Sequence, residues 1–361
     1  RYVQHLSDNA TNPRACGADA RTGTEIIETL KKELMRRRVE IKQNVMATSL
    51  LTDHNGAVVG ATGLNMVNGN FLLFRAKSVI LATGGAGQIF SVCVHTPEMT
   101  GDGQAMAYRV GAELVNMEFI QMGPSIVYPA ERILLVAHIW TLNPRLYNVR
   151  GEEFLSKYCP PGVGQKECLN LKATTFPFSL RNNARFVDIA VYTEIQEGRS
   201  TEHNGVFFDV THVSEELLRG RAGGQTYGRL LELGVNLKKQ PVEFAMMIQH
   251  FNGGVKINER AETTVSGLYA AGPEVAGGLH GADRPGGNAL AAGQVFGFRA
   301  GLYAAERSKT VSSPRITKEQ VDGERKRVFE AFERKNGLRP NPIKQRVQKL
   351  MYNNVAVVRE K

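Results

Sequence analysis

The sequence predicts an α/β fold: a Rossmann-like nucleotide-binding domain in two pieces, with an inserted α+β segment between them and amphipathic helices after it. Three observations lead there. Leu268 to Ala271 is a short apolar strand that runs into a glycine-dense turn and then a long apolar helix. Ala76 to Leu81 is a second apolar run, followed by glycines at 84, 85 and 87, and reads as a buried parallel strand. Between the first helix and that strand, residues 39–74 alternate and turn like a β-meander.

The turn after Leu268–Ala271 carries glycines at 272, 277, 278, 281, 286 and 287, where the backbone must turn sharply or approach a ligand. Asn288 is expected to cap a helix over 289–306. A strand that ends in glycines and opens a helix offers free N–H groups and a positive dipole end to an anion, which suits a nucleotide cofactor.

In chain order, Arg14–Gly23 reads as a small-residue loop before a helix over 24–38, with Thr24 as cap and Ile26, Ile27, Leu30 and Leu34 as its apolar face. Strands over 39–51 and 57–64 flank the hairpin turn His54-Asn-Gly56, and Asn68-Gly-Asn70 precedes a strand over 71–74. Thr96–Gly103 leads to a helix over 104–114, with Asp102 and Gly103 at its start. Asp102 is either a plain N-cap or a group that meets a cofactor at close range. From 116 to 245 the signals mix, as in an inserted lid, with a strand at Gly205–Val210 and a helix at Ser214–Arg219. Gln249–Val255 returns the chain to the nucleotide domain. Residues 308–314 form a polar linker. Amphipathic helices follow over 317–334 and 342–358.

The 361 residues suffice for roughly two or three domains. The longest apolar runs, such as Ile133–Ala137, are far too short to cross a bilayer, so no direct membrane insertion is expected. A net charge of +10 suits nucleic acid, anionic substrates or an acidic partner. Its clusters, Lys31–Arg38 and Arg325–Arg327, lie on amphipathic helices and read as solvated faces, so no nucleic-acid groove is expected. Cys16, Cys93, Cys159 and Cys168 form no Cys-x-x-Cys pair, so no metal is expected, and their scatter suits reduced thiols in a cytoplasmic protein.

Taken whole, Gly267-Leu-Tyr-Ala-Ala-Gly-Pro-Glu-Val-Ala-Gly-Gly-Leu-His-Gly-Ala-Asp-Arg-Pro-Gly-Gly-Asn-Ala-Leu290 resembles the FAD-binding signature of the succinate dehydrogenase/fumarate reductase flavoprotein family, which includes L-aspartate oxidase. Pro273 is one residue more than that pattern has. Thr100-Gly-Asp-Gly103, with its continuation through Leu114, is similar to a second stretch of the family. Asp19-Ala-Arg-Thr-Gly23 is similar to a third, although Ala20 intervenes and Thr24 stands where a histidine is common. Leu350–Arg359 resembles the start of the family's helical C-terminal domain.

The resemblance implies FAD as cofactor, held by Arg21, Thr22, Gly23, Thr83, Gly84, Gly85, Thr100, Gly101, Asp102, Glu274, Gly287, Asn288, Ala289 and Leu290. It implies an FAD-binding domain over 1–116 and 249–307, a lid over 117–248, and a helical domain beginning in 315–361. The family's opening Gly-x-Gly-x-x-Gly does not occur, so a fragment short of both ends is expected, with any flavin-linking histidine outside it.

A flavin takes a hydride at its ring, and the protein orients the substrate and moves a proton. His250 and Arg284 fall where the family places a substrate-binding histidine and arginine. Arg284 either clamps a carboxylate or holds loop carbonyls, and His250 either hydrogen-bonds a carboxylate or is a satisfied structural histidine. The family's proton-shuttling arginine falls near Ala184-Arg185, which makes Arg185 the third catalytic candidate, with Arg181 as its neighbour. Elsewhere the match fails. Met122-Gly-Pro-Ser125 has Gly123 where the family has a histidine, and Val136-Ala-His-Ile-Trp140 lacks the charges of the family's Thr-Glu-x-x-Arg. Trp140, the one tryptophan, either stacks on a substrate or fills the lid core. The implied activity is hydride transfer between FAD and a small carboxylate-bearing substrate at an altered site, without efficient interconversion of succinate and fumarate. The alternative is a non-catalytic flavin subunit passing electrons to an iron–sulfur partner, peripheral to a membrane complex.

Overall fold

A computed structural model describes residues 3–5, 15–18, 21–135, 137–220, 222–276, 278–313 and 315–359. Asp19, Ala20, Val136 and Gly277, named in the sequence reading, lie outside the described residues.

The two glycine-terminated strands are neighbours. Val79–Leu81 and Leu268–Ala270 pair in parallel, with Val79 opposite Leu268 and Leu81 opposite Ala270. Leu268, Ala270 and Leu81 are buried with Leu50, Val58, Met106, Ala107, Val255 and Val275, whereas Val79 is partly buried and Ile80 is 41% exposed, so Val79–Leu81 is not the fully buried strand expected. The long helix Asn288–Thr310 lays Ala300 and Ala304 on Tyr269 and Ala271. Small residues at that contact let helix and strand approach closely.

Three antiparallel strands, Val45–Thr52, Val58–Asn65 and Phe71–Arg75, form the expected meander. Asp53 Oδ1 accepts from the backbone of Asn55 and Ala57, and Gly56 takes a left-handed φ of 78° to close the first turn. The first strand begins at Val45 rather than Val39. Ala15–Gly17, expected as loop, instead pairs with Val3–His5.

Two helix boundaries differ for a backbone reason. The helix expected over 104–114 runs Asp102–Arg109, because Gly111 turns left-handed at φ 90° and Ala112 N donates back to Ala107 O. The long helix starts one residue early. Gly287, at φ 84°, takes the cap position, and its carbonyl accepts from Ala291 N, so Asn288 is the first helical residue rather than the cap. Likewise Thr24 is no cap: its helix runs Thr22–Arg36. The apolar stripe expected to be buried on that helix is open, with Ile27 65%, Leu30 46% and Leu34 40% exposed.

The segment expected as a lid contains a five-stranded antiparallel sheet in the order Arg145–Tyr147, Val206–Asp209, Val242–Phe251, Ile120–Tyr128, Ile133–Leu134, whose central strand runs past the expected boundary at 248. Helices Gln165–Lys172 and Arg185–Gln196 cover it. Lys172 and Asp188, both fully buried, pair across these helices at 2.7 Å. The helix Lys318–Glu333 opens with a capping box, Thr317 with Gln320. The last helix, Pro340–Val355, docks on the lid sheet through Tyr352, whose hydroxyl donates to Met246 O at 3.0 Å. Among the described residues no helix is long and apolar enough to cross a membrane.

Candidate active site

The site begins where the strand Val79–Leu81 ends. Thr83 donates from its backbone N, at 3.1 Å, and from its hydroxyl to Oε2 of Glu274, which is fully buried. Gly103, at the start of the helix Asp102–Arg109, closes this contact: a Cβ there would lie 2.0 Å from Thr83 Oγ1 and 2.7 Å from Glu274 Oε2. Gly101 and Gly85 are also tight. Their Cβ atoms would lie 2.8 Å from Ala86 Cβ and 3.3 Å from Phe251 Cβ. Glycines on these segments therefore leave room for the Thr83, Glu274, Ala86 and Phe251 side chains to pack against them. Thr100 donates its hydroxyl to Asp102, and both Thr83 and Asp102 remain open to solvent at the rim. Burial raises the Glu274 carboxyl to about 7 against the lowering pull of the Thr83 bonds, and the Asp102 charge adds to the rise.

A second polar group sits one residue along from Phe251. The strand Val242–Phe251 pairs with Ile120–Tyr128 so that Ile248 faces Met122 and His250 faces Gln121, which leaves Gln249 as a bulge. The bulge breaks the strict alternation of faces. Ile248 stays in the apolar core while His250 turns to His280, ring centroids 5.6 Å apart. Gln121 Nε2 donates to Asp283 Oδ1 and Arg284 O, both at 3.0 Å, and Arg284 Nη1 donates to Pro285 O at 3.1 Å. Arg284 and His250 are 9% and 6% exposed. Burial, then the Arg284, His280 and His95 charges, lower His250 to about 3, so its imidazole is neutral at pH 7. His280 is lowered by burial and by Arg284.

The remaining expected residues are placed as follows. Arg21, Thr22 and Gly23 open the helix Thr22–Arg36, where Thr22 Oγ1 accepts from Ala18 N at 2.9 Å and Arg21 pairs with Glu25 at 3.5 Å. Gly287, Asn288, Ala289 and Leu290 form the open end of the helix that packs on the Gly272–Glu274 turn. Gly84, at φ 86°, abuts Met99. Arg185 starts its helix and donates to Leu180 O at 3.0 Å, with its guanidinium 4.9 Å from the Phe186 ring. Arg181 instead reaches Asp283, beside Arg284, at 3.3 Å.

Sequence reading passed over Gln121, His95, His280 and Asn252. His280 stood in the quoted glycine motif and was readable there. Gln121 becomes visible only through its register with His250. His95 Nε2 contacts Gln249 O at 2.9 Å, and Asn252 Nδ2 donates to Gly281 O at 3.0 Å. Trp140 is lid core: fully buried, its indole N donates to Leu135 O at 3.1 Å, and it packs edge-on against Phe208 and Phe244. Ile139 beside it is also fully buried. At Gly123 a Cβ would lie 3.1 Å from Phe176 Cζ and 3.4 Å from Gln249 Oε1, so an aromatic ring covers the position.

The residues fit a flavin nucleotide. Among the described residues, buried polar atoms without a hydrogen-bond partner gather here: Glu274 Oε1, His280 Nδ1, Gln121 Oε1, Gln249 Oε1 and Asn252 Oδ1. A folded chain rarely leaves such atoms unmatched unless something else meets them. Glu274 Oε1 suits a hydroxyl donor, and Gly272, Gly278 and Gly287, with nothing within 4 Å of an added Cβ, leave backbone that a pyrophosphate can approach. Among the described residues no cluster of three His, Cys, Asp or Glu side chains is arranged to hold a metal ion.

Comparison with known proteins agrees. Residues 4–290 match the FAD binding domain family. The chain is 39% identical over 354 residues to one subunit of the fumarate reductase (CoM/CoB) of Methanothermobacter marburgensis, covering 97% of this chain and 61% of that protein. It is 30% identical to the succinate dehydrogenase flavoprotein subunit of Rickettsia conorii, over 96% of this chain and 57% of that one. Among solved structures, Mycobacterium smegmatis Sdh1 in complex with UQ1 superposes with a TM-score of 0.82 at 30% identity, over 99% of this chain and 60% of that one. The chain thus spans about 60% of the length of such relatives. On the match and on the residues that carry it, the chain belongs to the FAD binding domain family, with the flavoprotein subunits of succinate dehydrogenase and fumarate reductase as its relatives.

Proposed function

We propose that the chain carries the site of an FAD-dependent oxidoreductase that passes hydride between FAD and a small carboxylate-bearing substrate. The observation that carries this reading is the burial of Arg284, His250 and Gln121 beside the Thr83–Gly103–Glu274 cradle. Glu274, Thr83 and the open helix end at Asn288 would hold the cofactor. FAD, when bound, supplies a ring that accepts or gives hydride. Arg284 presents a fixed positive charge to a substrate carboxylate. His250, neutral, adds a hydrogen bond rather than a second charge. Of the two candidates to move the proton, Arg181 reaches Asp283 beside Arg284, whereas Arg185 is turned to Leu180 O and the Phe186 ring.

The pocket is altered on its lid side. Phe176 covers Gly123, and Ile139 and Trp140 are sunk into the core, so these positions offer a substrate no charged side chain. A dicarboxylate would then be gripped at one end only, and turnover of fumarate and succinate is expected to be slow. The Methanothermobacter relative is named a fumarate reductase, which makes fumarate the first substrate to assay. In the test, flavin in the full-length protein is photoreduced without oxygen and mixed with fumarate or an unsaturated monocarboxylate. Reoxidation by either acid, lost in Arg284→Gln, supports the reading; reoxidation by neither refutes it.

A second reading is a flavin protein that only relays electrons to an iron–sulfur partner, peripheral to a membrane complex. The lack of charged side chains at Gly123, Ile139 and Trp140 favours it. In that case reduced flavin would be reoxidised by one-electron acceptors and by no carboxylate.

A further inference from the structure

Cys159 and Cys168 are spread along the sequence but meet in the lid, with Sγ atoms 3.7 Å apart. They are unequal. Cys159 is half-buried where the helix Leu155–Tyr158 gives way to the loop 160–164, and Cys168 is fully buried on the helix Gln165–Lys172. A reachable thiol in contact with a covered one is the arrangement that thiol–disulfide exchange uses: the first attacks, the second resolves.

We propose that Cys159 and Cys168 are a redox-modification site, closed to a disulfide by exchange with a low-molecular-weight disulfide. The Cys159 thiolate attacks one sulfur of the small disulfide and expels a thiolate. Cys168 then gives its proton to solvent and attacks Cys159 Sγ of the mixed disulfide, expelling the second thiolate. Two protein thiols are oxidised and one small disulfide is reduced to two thiols. Burial, and then the neighbouring Cys159, push the Cys168 thiol up to about 12, which fixes the order: Cys159 reacts first, and the resolving step is slow.

The bridge ties the loop 160–164 to the helix Gln165–Lys172. That helix runs on to Phe176, the ring over Gly123, and Phe178 N donates to Met122 O at 2.7 Å. Oxidation therefore bears on the lid wall of the substrate pocket. This consequence rests on the proposed function; the disulfide itself does not.

The test uses native full-length protein incubated with 2-hydroxyethyl disulfide, then alkylated and mapped by peptide mass. Cys16, which is exposed, reports that the reagent is active. The expected result is a 159–168 cross-linked peptide that is lost on reduction with dithiothreitol. Cys168→Ser should stop at a stable mixed disulfide on Cys159, and Cys159→Ser should leave Cys168 unmodified. A wild-type protein that stops at the Cys159 mixed disulfide, modifies Cys168 first, or leaves both thiols unreacted would overturn the proposal.

Discussion

The cofactor cradle and the lid wall of the pocket are built by opposite means. The cradle is glycine backbone against side chains: Gly103 against Thr83 and Glu274, Gly101 against Ala86, and Gly85 against Phe251. Thr83, Gly101, Gly103 and Glu274 come from three segments, and a single added Cβ at Gly103 would strike two of them. The lid wall is side chain against side chain, with Phe176 over Gly123 and Ile139 and Trp140 in the core. A contact that closes on a glycine leaves no room for an added Cβ, so it tolerates little change. A packed wall can be refilled with other apolar residues of similar volume.

The largest effect should come from breaking the cradle. Gly103→Ala is expected to yield protein without flavin and to destabilise the fold by about 3 kcal/mol, since the new methyl has no room. Flavin absorbance per chain and a denaturant titration check both. Next, Arg284→Gln should leave flavin content unchanged and lower kcat/KM for any carboxylate substrate by about 100-fold, the scale of a lost charge at a developing anion.

A smaller effect separates the cradle's cofactor duty from its stability. Folding raises the Glu274 carboxyl from 4.5 to about 7. In the flavin-free chain the Glu274 contribution to stability is therefore full below pH 4.5 and is lost as pH rises through about 7. Glu274→Gln removes that loss. Flavin-free protein should gain on the order of 1–2 kcal/mol at pH 8 and nothing at pH 4, while flavin retention falls. Thermal melts at the two pH values, with and without FAD, measure it. The smallest effect belongs to the wall. Gly123→Ala asks Phe176 to yield a few tenths of an ångström, so stability should fall by about 1 kcal/mol or less, with a change confined to KM.

The same division governs what the sequence makes legible. Glycine-terminated apolar runs and the turns at Gly56 and Asn68–Asn70 are local patterns, and the parallel pair and the meander stand where those patterns put them. Helix ends were misjudged where a left-handed glycine, Gly111 or Gly287, decided them. Gln121 was illegible because its meaning lies in a strand register set across the lid, and the Gln249 bulge that turns His250 has no mark in residue type. The Cys159–Cys168 contact was missed for a related reason: a loop and a helix fold the eight intervening residues back, which no short cysteine motif announces.

The central claim is that Thr83, Gly103 and Glu274 form the seat of a flavin. It is tested most directly by titrating flavin-free full-length protein with FAD, following the quenching of flavin fluorescence, alongside Gly103→Ala. Saturation at one FAD per chain for the native protein, and none for the variant, is the expected result. A native protein that takes up no flavin, or a folded Gly103→Ala that binds it equally well, would contradict the account.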